Sequence, residues 1–432
     1  AESADSQRLK RVVGLPGAVL LGLGSIVGTG AFVSIGIAAG VAGPAVLLAI
    51  ALAGLLAACN GLSSAQLAAS HPISGGTYEY GYRYLTPTLG FTAGWMFMSA
   101  KSASAATAAL GLAGYLLEAL GIGGRSLLVA VGLLAVLAVT ALVWHGTSRS
   151  NRANAVIVGL TLGALGLFVV AGLPSAAEGS AANLAGIFPD RAGLPGLLEA
   201  TALMFVAYTG YGRIATLGEE VREPARTIPR AIVVTLVVSA LLYISVGAVA
   251  VGSVGAPRLA EMTASRAAPL EDAAMTFGGP TLGRILALGA ITAMLGVLLN
   301  LILGLSRVLL AMARRGDAPG RLATIDDVRS SPAAAVIAVG IVIGLLVLIG
   351  DVKTTWSFSA FTVLVYYALT NLAALRIPVE DRIFPRWIAV AGLVGCLGLA
   401  FWVEWRVWAV GLGMIAAGLV WQQVMRRLAS RS

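Results

Sequence analysis

Charged residues are scarce in this chain of 432 residues. Asp, Glu, Lys and Arg make up 11% of it, 58% of the residues are hydrophobic, and the mean hydropathy is +0.90. Soluble domains carry about 25% charged residues and rarely exceed about 50% apolar residues. So few charges cannot cover a water-facing surface of this size, and the composition therefore predicts an integral membrane protein.

Cysteine and histidine are also nearly absent. The two cysteines, Cys59 and Cys396, lie inside apolar runs, and the two histidines, His71 and His145, fall in predicted loops. These numbers argue against a disulfide framework, a thiolate or histidine metal site, and a Ser-His-Asp triad. We therefore expect no enzyme activity, no metal site and no cofactor.

The net charge of +9 does not point to nucleic acid. Only three residues are lysines, and the basic residues stand singly or in pairs at the ends of apolar runs. That distribution is typical of residues that set membrane topology. No basic stripe alternates with aromatic residues, so we expect the lipid bilayer, and not nucleic acid, to surround the chain.

Long apolar runs indicate helices. Ala45–Ala58 and Ala333–Ile349 are continuous, whereas the strands of a membrane barrel would alternate apolar and polar residues. At about 20 apolar residues per crossing, the length predicts an all-α fold with 12 transmembrane helices. We place them near 14–38, 44–69, 89–119, 126–144, 153–173, 195–217, 229–253, 281–312, 332–350, 355–375, 386–403 and 406–425.

The basic residues also predict an orientation. With the N-terminus inside, the inner segments hold 21 of the 29 Lys and Arg residues and the outer segments hold 7, which leaves Lys101 within the third helix. By the positive-inside rule, residues 1–13 and 426–432 are then cytoplasmic tails of a multi-pass protein of the cell membrane.

Two predicted helices are interrupted by glycine near mid-span. Helix 1 carries four glycines within Gly22–Gly30, and helix 6 carries two within Phe205–Gly212. The two helices are equivalent if residues 14–173 and 195–375 are inverted copies of a five-helix unit, followed by two more helices at 386–425. Paired interruptions of this kind are the best sequence indication of a transporter site.

A broken helix suits a zwitterionic solute. The break leaves backbone N–H and C=O groups that cost several kcal/mol each in lipid unless they are satisfied. Amides at the start of the following half-helix favour a carboxylate, and carbonyls at the end of the preceding half-helix favour an ammonium. The spacing therefore predicts that an amino acid binds where the two breaks meet.

Five segments in register resemble the amino acid–polyamine–organocation (APC) superfamily of permeases. They are Gly24-Ser-Ile-Val-Gly-Thr-Gly-Ala-Phe32, Pro72-Ile-Ser-Gly-Gly-Thr-Tyr78, Phe205-Val-Ala-Tyr-Thr-Gly-Tyr211, Gly218-Glu-Glu-Val-Arg-Glu-Pro-Ala-Arg-Thr-Ile-Pro-Arg-Ala231 and Ser306-Arg-Val-Leu-Leu-Ala-Met-Ala-Arg-Arg-Gly316. The resemblance implies a 5+5 inverted-repeat fold, a substrate site on helices 1 and 6, and alternating access.

The resemblance also implies roles for particular residues. The substrate carboxylate would bind at Gly28, Thr29 and Gly30. The α-amino group would bind backbone carbonyls of helices 1 and 6, which map to Ile26, Val206, Ala207 and Thr209. An aromatic residue before the helix-6 break often closes such a site from outside, and Phe205 is the candidate.

Lys101 is the most informative single residue. It lies 12 residues into helix 3, about 18 Å along the helix axis, too deep for its ammonium to reach the interface easily. A central lysine costs at least about 2.5–3.5 kcal/mol on insertion scales. A structural lysine that donates to an unwound carbonyl is one interpretation. The other is a charge in the transport pathway, which either exchanges a proton or stands in for a cation.

Sodium coupling is the alternative to a proton. Several related permeases have a lysine on helix 5 in place of a sodium ion, and this sequence has Thr161 at that position. Ala293–Leu305 on helix 8 contains no Ser or Thr, only Asn300, so hydroxyl ligands for sodium are few. We expect Lys101 to carry the coupling charge, with proton-coupled uptake or exchange. A sodium site at Thr161 stays open.

The sequence thus predicts a secondary transporter of neutral L-amino acids. A cationic amino acid or polyamine exchanger would need acidic residues at mid-depth, and helices 1, 3, 6, 8 and 10 offer none there. A sensor that binds an amino acid without moving it is a further alternative.

Overall fold

The computed structural model describes residues 13–71, 75–145, 151–188, 190–191, 193–215, 221–325 and 332–429. The outer parts of the predicted tails, at 1–12 and 430–432, lie outside these ranges. So do residues 72–74 and 216–220, and of these 72–74 and 218–220 belong to two of the motifs. Within the described ranges the chain is all-helical, apart from an isolated bridge between Val13 and Val221.

The α-helices of the described residues follow one another along the chain. They are α1 Leu15–Ile26, α2 Ile35–Ala42, α3 Val46–Ser70, α4 Thr77–Tyr84, α5 Pro87–Ala119, α6 Arg125–Trp144, α7 Asn151–Asn183, α8 Leu194–Tyr208, α9 Gly212–Ala215, α10 Pro224–Val254, α11 Ala256–Arg266, α12 Pro269–Arg314, α13 Ala333–Val347, α14 Val352–Ala374, α15 Arg386–Ala400 and α16 Trp405–Ala429.

Seven helical stretches in the described part of the chain are long and apolar enough to cross a membrane. Three shorter apolar helices, α1, α13 and α15, have between 10 and 17 residues. The chain is thus an all-helical protein rich in potential membrane spans, and the count of 12 spans stays a prediction.

The glycine-rich segments interrupt their helices. α1 ends at Ile26, because Val27 takes an extended conformation (φ −82°, ψ 96°). A π-helical turn, Gly30–Ser34, then leads into α2. α8 ends at Tyr208, and a 3₁₀ turn, Thr209–Tyr211, joins it to α9. Both interruptions lie where the sequence placed them.

Several elements differ from the sequence prediction. α4 and α11 were not expected, because they are short and polar and the search was for apolar runs. α7 was expected to end at residue 173 but continues through Pro174 to Asn183. Pro174 removes one backbone hydrogen bond, and membrane helices tolerate that loss where neighbouring groups compensate. α12 bends at Gly279, whose φ of 68° suits glycine, just before Pro280.

α5 lies at the centre of the molecule and brings Lys101 to the breaks. It packs closely against α12 and α14, while α10 packs against α3 and α7. Small buried residues such as Ala100, Ala103 and Ala106 line α5 and allow its neighbours to approach. From α5 the long side chain of Lys101 reaches the α8–α9 interruption, where its Nζ donates to the Thr209 hydroxyl.

Candidate functional site

The two interrupted helices meet at a small cavity of about 40 Å³. Seven of the predicted site residues line it: Ile26, Thr29, Gly30, Lys101, Val206, Ala207 and Thr209. Ser25, Ser104, Gly210, Val297, Leu301 and Trp356 complete the wall. The structure therefore brings most of the predicted residues together around one space.

The helix-1 side of the cavity offers hydrogen-bond donors. The Gly28 carbonyl accepts from the amides of Ala31 and Phe32, both at 3.0 Å, so the helix restarts at Gly28. The first amides of a restarted helix have no helical carbonyl to bind and are available to a ligand. The Thr29 hydroxyl is buried and has no hydrogen-bond partner within the described residues. This side can hold an anionic group such as a carboxylate.

The carbonyls predicted to bind an ammonium already accept from protein hydroxyls. Val206 O accepts from Thr209 Oγ1 at 2.7 Å, and Thr209 O accepts from the Tyr367 hydroxyl at 3.3 Å. The Tyr243 hydroxyl lies 2.8 Å from Ile26 O and 3.1 Å from Ala207 O. Val206 O also accepts from the Thr209 amide, and Thr209 O also accepts from the Gly212 amide, so both lone pairs of these two carbonyls are used. The carbonyls of Ile26 and Ala207 can accept a further donor beside Tyr243.

Lys101 is buried at the edge of the cavity, with 8% of its surface exposed. Its Nζ donates to Thr209 Oγ1 at 2.8 Å. Among the described residues that line this cavity, none is Asp or Glu. The lysine charge is thus held by a neutral hydroxyl at the helix-6 interruption, and its role as a charge in the pathway stays a prediction.

A larger cavity of about 480 Å³ continues from the same point towards the C-terminal end of α12. It shares Lys101 and Thr209 with the small cavity and reaches Arg307 and Ala311. The distance from Val297 to Ala311 is 14 helical rises, or about 21 Å along the helix. In the predicted orientation this end of α12 faces the cytoplasm, so the cavity forms a route from the site to the inner side.

The opposite end of the site is covered by packed elements. The Tyr115 hydroxyl of α5 donates to Phe32 O at 2.7 Å and accepts from the Leu270 amide at 3.2 Å. Nearby, Arg266 lies 2.5 Å from Glu118 and 3.7 Å from Asp272. These contacts join α5, the start of the second half of helix 1, α11 and α12 above the small cavity.

Three predicted residues do not line either cavity. Gly28 packs against α12, where a Cβ would lie 2.6 Å from Val297 Cγ2. The Phe205 ring makes an edge-on contact with Tyr367, at 5.6 Å between centroids. The Thr161 hydroxyl donates to Ile157 O at 2.7 Å within α7. The gating role of Phe205 and the coupling role of Thr161 stay predictions.

Trp356 and Ser104 also line the small cavity and were not among the predicted site residues. Trp356 Nε1 donates to Leu203 O at 2.9 Å, and Ser104 Oγ lies 2.7 Å from Ser359 Oγ. The sequence signal for these two residues was the presence of an indole and of hydroxyls on α5 and α14 at the depth of Lys101. Which of them faces the site depends on how these two helices pack.

Comparisons with known proteins agree with this architecture. The sequence model of the family described as Amino acid permease matches residues 17–427. A protein of Mycobacterium tuberculosis named only as a transporter is 40% identical over 424 residues, which cover 98% of this chain and 93% of the relative. A branched-chain amino acid permease of Bacillus subtilis is 27% identical over 439 residues (98% of this chain, 92% of the relative). A mitochondrial cationic amino acid transporter of Arabidopsis thaliana is 26% identical over 389 residues (85% of this chain, 62% of the relative).

Proposed function

Because the chain belongs to the amino acid permease family of the APC superfamily, we propose that it is a secondary active transporter of neutral L-amino acids that works by alternating access. The observation that carries the proposal is the small cavity where the two helix interruptions meet. Its helix-1 side presents amide and hydroxyl donors, and its helix-6 side presents carbonyl acceptors. An α-amino acid carries the matching carboxylate and ammonium on one carbon.

The proposed architecture follows the predicted repeat. Residues 14–173 and 195–375 form two inverted five-helix units, residues 386–425 form the last two of 12 helices, and both tails are cytoplasmic in the cell membrane. The route from the small cavity to Arg307 supports access from the inner side, and the Tyr115 contacts support closure on the outer side. Transport then requires these two ends to open in turn.

Lys101 carries the coupling charge in this proposal. It touches Thr209 at the helix-6 interruption, so gain or loss of its proton alters the site that holds the substrate. Coupling to a proton gradient, or exchange of one amino acid for another, follows from that position. Coupling to sodium through Thr161 has less support, because the Thr161 hydroxyl is bound to its own helix.

Uptake into proteoliposomes tests the proposal. Purified protein is reconstituted and a panel of labelled neutral, acidic and cationic amino acids is offered with an imposed proton or sodium gradient. We expect saturable uptake of neutral amino acids, stimulated by the proton gradient, and loss of that stimulation in Lys101→Ala. Sodium-driven uptake that persists in Lys101→Ala would overturn the coupling role. Binding without flux would instead support a sensor.

A further inference from the structure

The charged residues that line the two cavities in the described part of the chain are all basic. Lys101 lies where the two cavities join, and Arg213 and Arg307 line the larger one. Among the described residues that line either cavity, none is Asp or Glu. Arg307 is exposed at the far end of the route, whereas Lys101 is buried. An anion that enters from this side meets the exposed Arg307 first and the buried Lys101 last.

Lys101 is a buried cation that contacts a neutral hydroxyl and no carboxylate among the described residues that line the two cavities. A lysine ammonium has three donors, and Thr209 Oγ1 is the acceptor that the described residues provide. A neutral hydroxyl compensates poorly for the desolvation of a buried ammonium. A carboxylate brought by the ligand would supply both the acceptor and the opposite charge.

The rest of the site is also richer in donors than in acceptors. The Thr29 hydroxyl and the first amides of the restarted helix can bind one carboxylate. The carbonyls of Ile26, Val206 and Ala207 each accept from a protein hydroxyl already. One ligand carboxylate therefore leaves the positive charge of Lys101 without an acidic partner.

We propose that this site takes acidic amino acids, aspartate or glutamate, and prefers them to their neutral amides. The α-carboxylate binds at Thr29 and the restarted helix, the side-chain carboxylate pairs with Lys101 Nζ, and the α-ammonium uses the second lone pairs of the Ile26 and Ala207 carbonyls. The inference rests on the proposed amino acid transport and adds acidic side chains to it, so neutral amino acids remain substrates with a lower kcat/KM. The charge of Lys101 would repel a cationic side chain.

Glutamate and glutamine have nearly equal size and shape but differ in side-chain charge, so a comparison of the two tests the inference. Labelled glutamate and glutamine are offered separately to proteoliposomes that contain the full chain, and kcat/KM is measured for each. We expect glutamate to exceed glutamine by about tenfold or more, as for a hydrogen bond to a charged group. Lys101→Gln should lower this ratio by about the same factor, and Lys101→Arg should keep glutamate ahead.

Lys353→Gln is the matched control, because Lys353 is an exposed lysine at the start of α14, and the ratio should stay as in the wild type. Glutamine uptake equal to or faster than glutamate uptake by the wild type would overturn the inference and leave neutral amino acid transport intact. A ratio unchanged in Lys101→Gln would overturn the role of Lys101. Absence of uptake of any amino acid would count against the proposed function itself. The wild-type ratio decides the question even if Lys101→Gln fails to fold.

Discussion

At the scale of single residues, Thr209 connects the polar groups of the candidate site. Its hydroxyl accepts from Lys101 Nζ at 2.8 Å and donates to Val206 O at 2.7 Å, and its carbonyl accepts from the Tyr367 hydroxyl. Loss of the hydroxyl would remove the acceptor of Lys101 Nζ, while the Val206 carbonyl would keep its bond from the Thr209 amide. A buried polar group that loses its partner costs about 1–3 kcal/mol.

We therefore expect Thr209→Val to lower kcat/KM for amino acid uptake by about tenfold or more, from the loss of about 1–3 kcal/mol. Thr201→Val is the control on the same helix, because the Thr201 hydroxyl donates to Leu197 O within α8 and Thr201 lines neither cavity. Its uptake should stay within about twofold of the wild type. Equal losses in the two variants would mean that Thr209 acts only through helix stability.

At the scale of elements, the two interrupted helices can lie in close contact because glycine has no side chain to separate them. A Cβ on Gly30 would lie 2.6 Å from the Tyr243 hydroxyl and 2.8 Å from Ala207 Cβ. The extra methyl group would push α8 and α10 away from the restarted helix. We expect Gly30→Ala to abolish uptake and to cost about 1–3 kcal/mol of stability through overpacking.

Gly166→Ala is the matched comparison for Gly30→Ala. A Cβ on Gly166 of α7 would meet no atom within 4 Å, so the variant should transport like the wild type. Uptake is measured in proteoliposomes and stability by thermal unfolding in detergent. Wild-type uptake by Gly30→Ala would contradict the close approach of the two interruptions.

A second group of contacts joins α4 to the segment that follows α12. The hydroxyls of Tyr78 and Tyr82 on α4 both donate to Asp317 Oδ2 at 2.6 Å, and Arg315 lies 2.5 Å from Glu79. Burial, followed by the hydrogen bond to Asp317, raises the pKa of Tyr82 to about 12. The phenol therefore keeps its proton below pH 10, and its contribution to stability is lost only as the pH rises through about 12.

We expect Asp317→Asn to destabilise the protein by about 1–2 kcal/mol, because charge-assisted hydrogen bonds become neutral ones. Thermal unfolding in detergent should show a lower Tm, by the same amount at pH 7 and pH 9. Asp381→Asn changes an exposed residue of the 3₁₀ turn Val379–Asp381 and should leave Tm unchanged. A Tm for Asp317→Asn equal to that of the wild type would show that this contact does not stabilise α12.

The elements also show what a sequence can and cannot predict here. The interruptions after Ile26 and Tyr208 were predictable, because clustered glycines near mid-span have few other uses. The position of Lys101 beside other polar groups was predictable, because a buried charge in lipid requires a function or a partner. Trp356 was not, because its place in the wall depends on how α14 packs against α5 and α8, which no local pattern specifies.

At the scale of the whole molecule, the orientation is open to direct test. Gly123 and Asp351 line one cavity, so the end of α5 and the start of α14 lie at the same end of the molecule. Arg376, just after α14, lies at the other end. The chain has two cysteines, Cys59 and Cys396, and serine at both gives a background for labelling.

In that background we expect Gly123→Cys to react with an impermeant maleimide added outside intact cells. Arg376→Cys should react only after the membrane is opened, because the positive-inside rule places it in the cytoplasm. The background without added cysteine controls for unspecific reaction. Labelling of Arg376→Cys from outside would reverse the orientation, and with it the side to which the route past Arg307 leads.

The hydroxyl of Tyr243 links the two interrupted helices. It carries a single proton and lies within hydrogen-bond distance of both Ile26 O and Ala207 O, one in each interrupted helix. If α1 and α8 separated, the hydroxyl could keep its hydrogen bond to only one of the two carbonyls. The other carbonyl would lose this donor in a region with little water. The Tyr243 hydroxyl therefore ties the two interruptions and α10 into one unit, which packs against α7 and α12, and we expect the three to move together during transport.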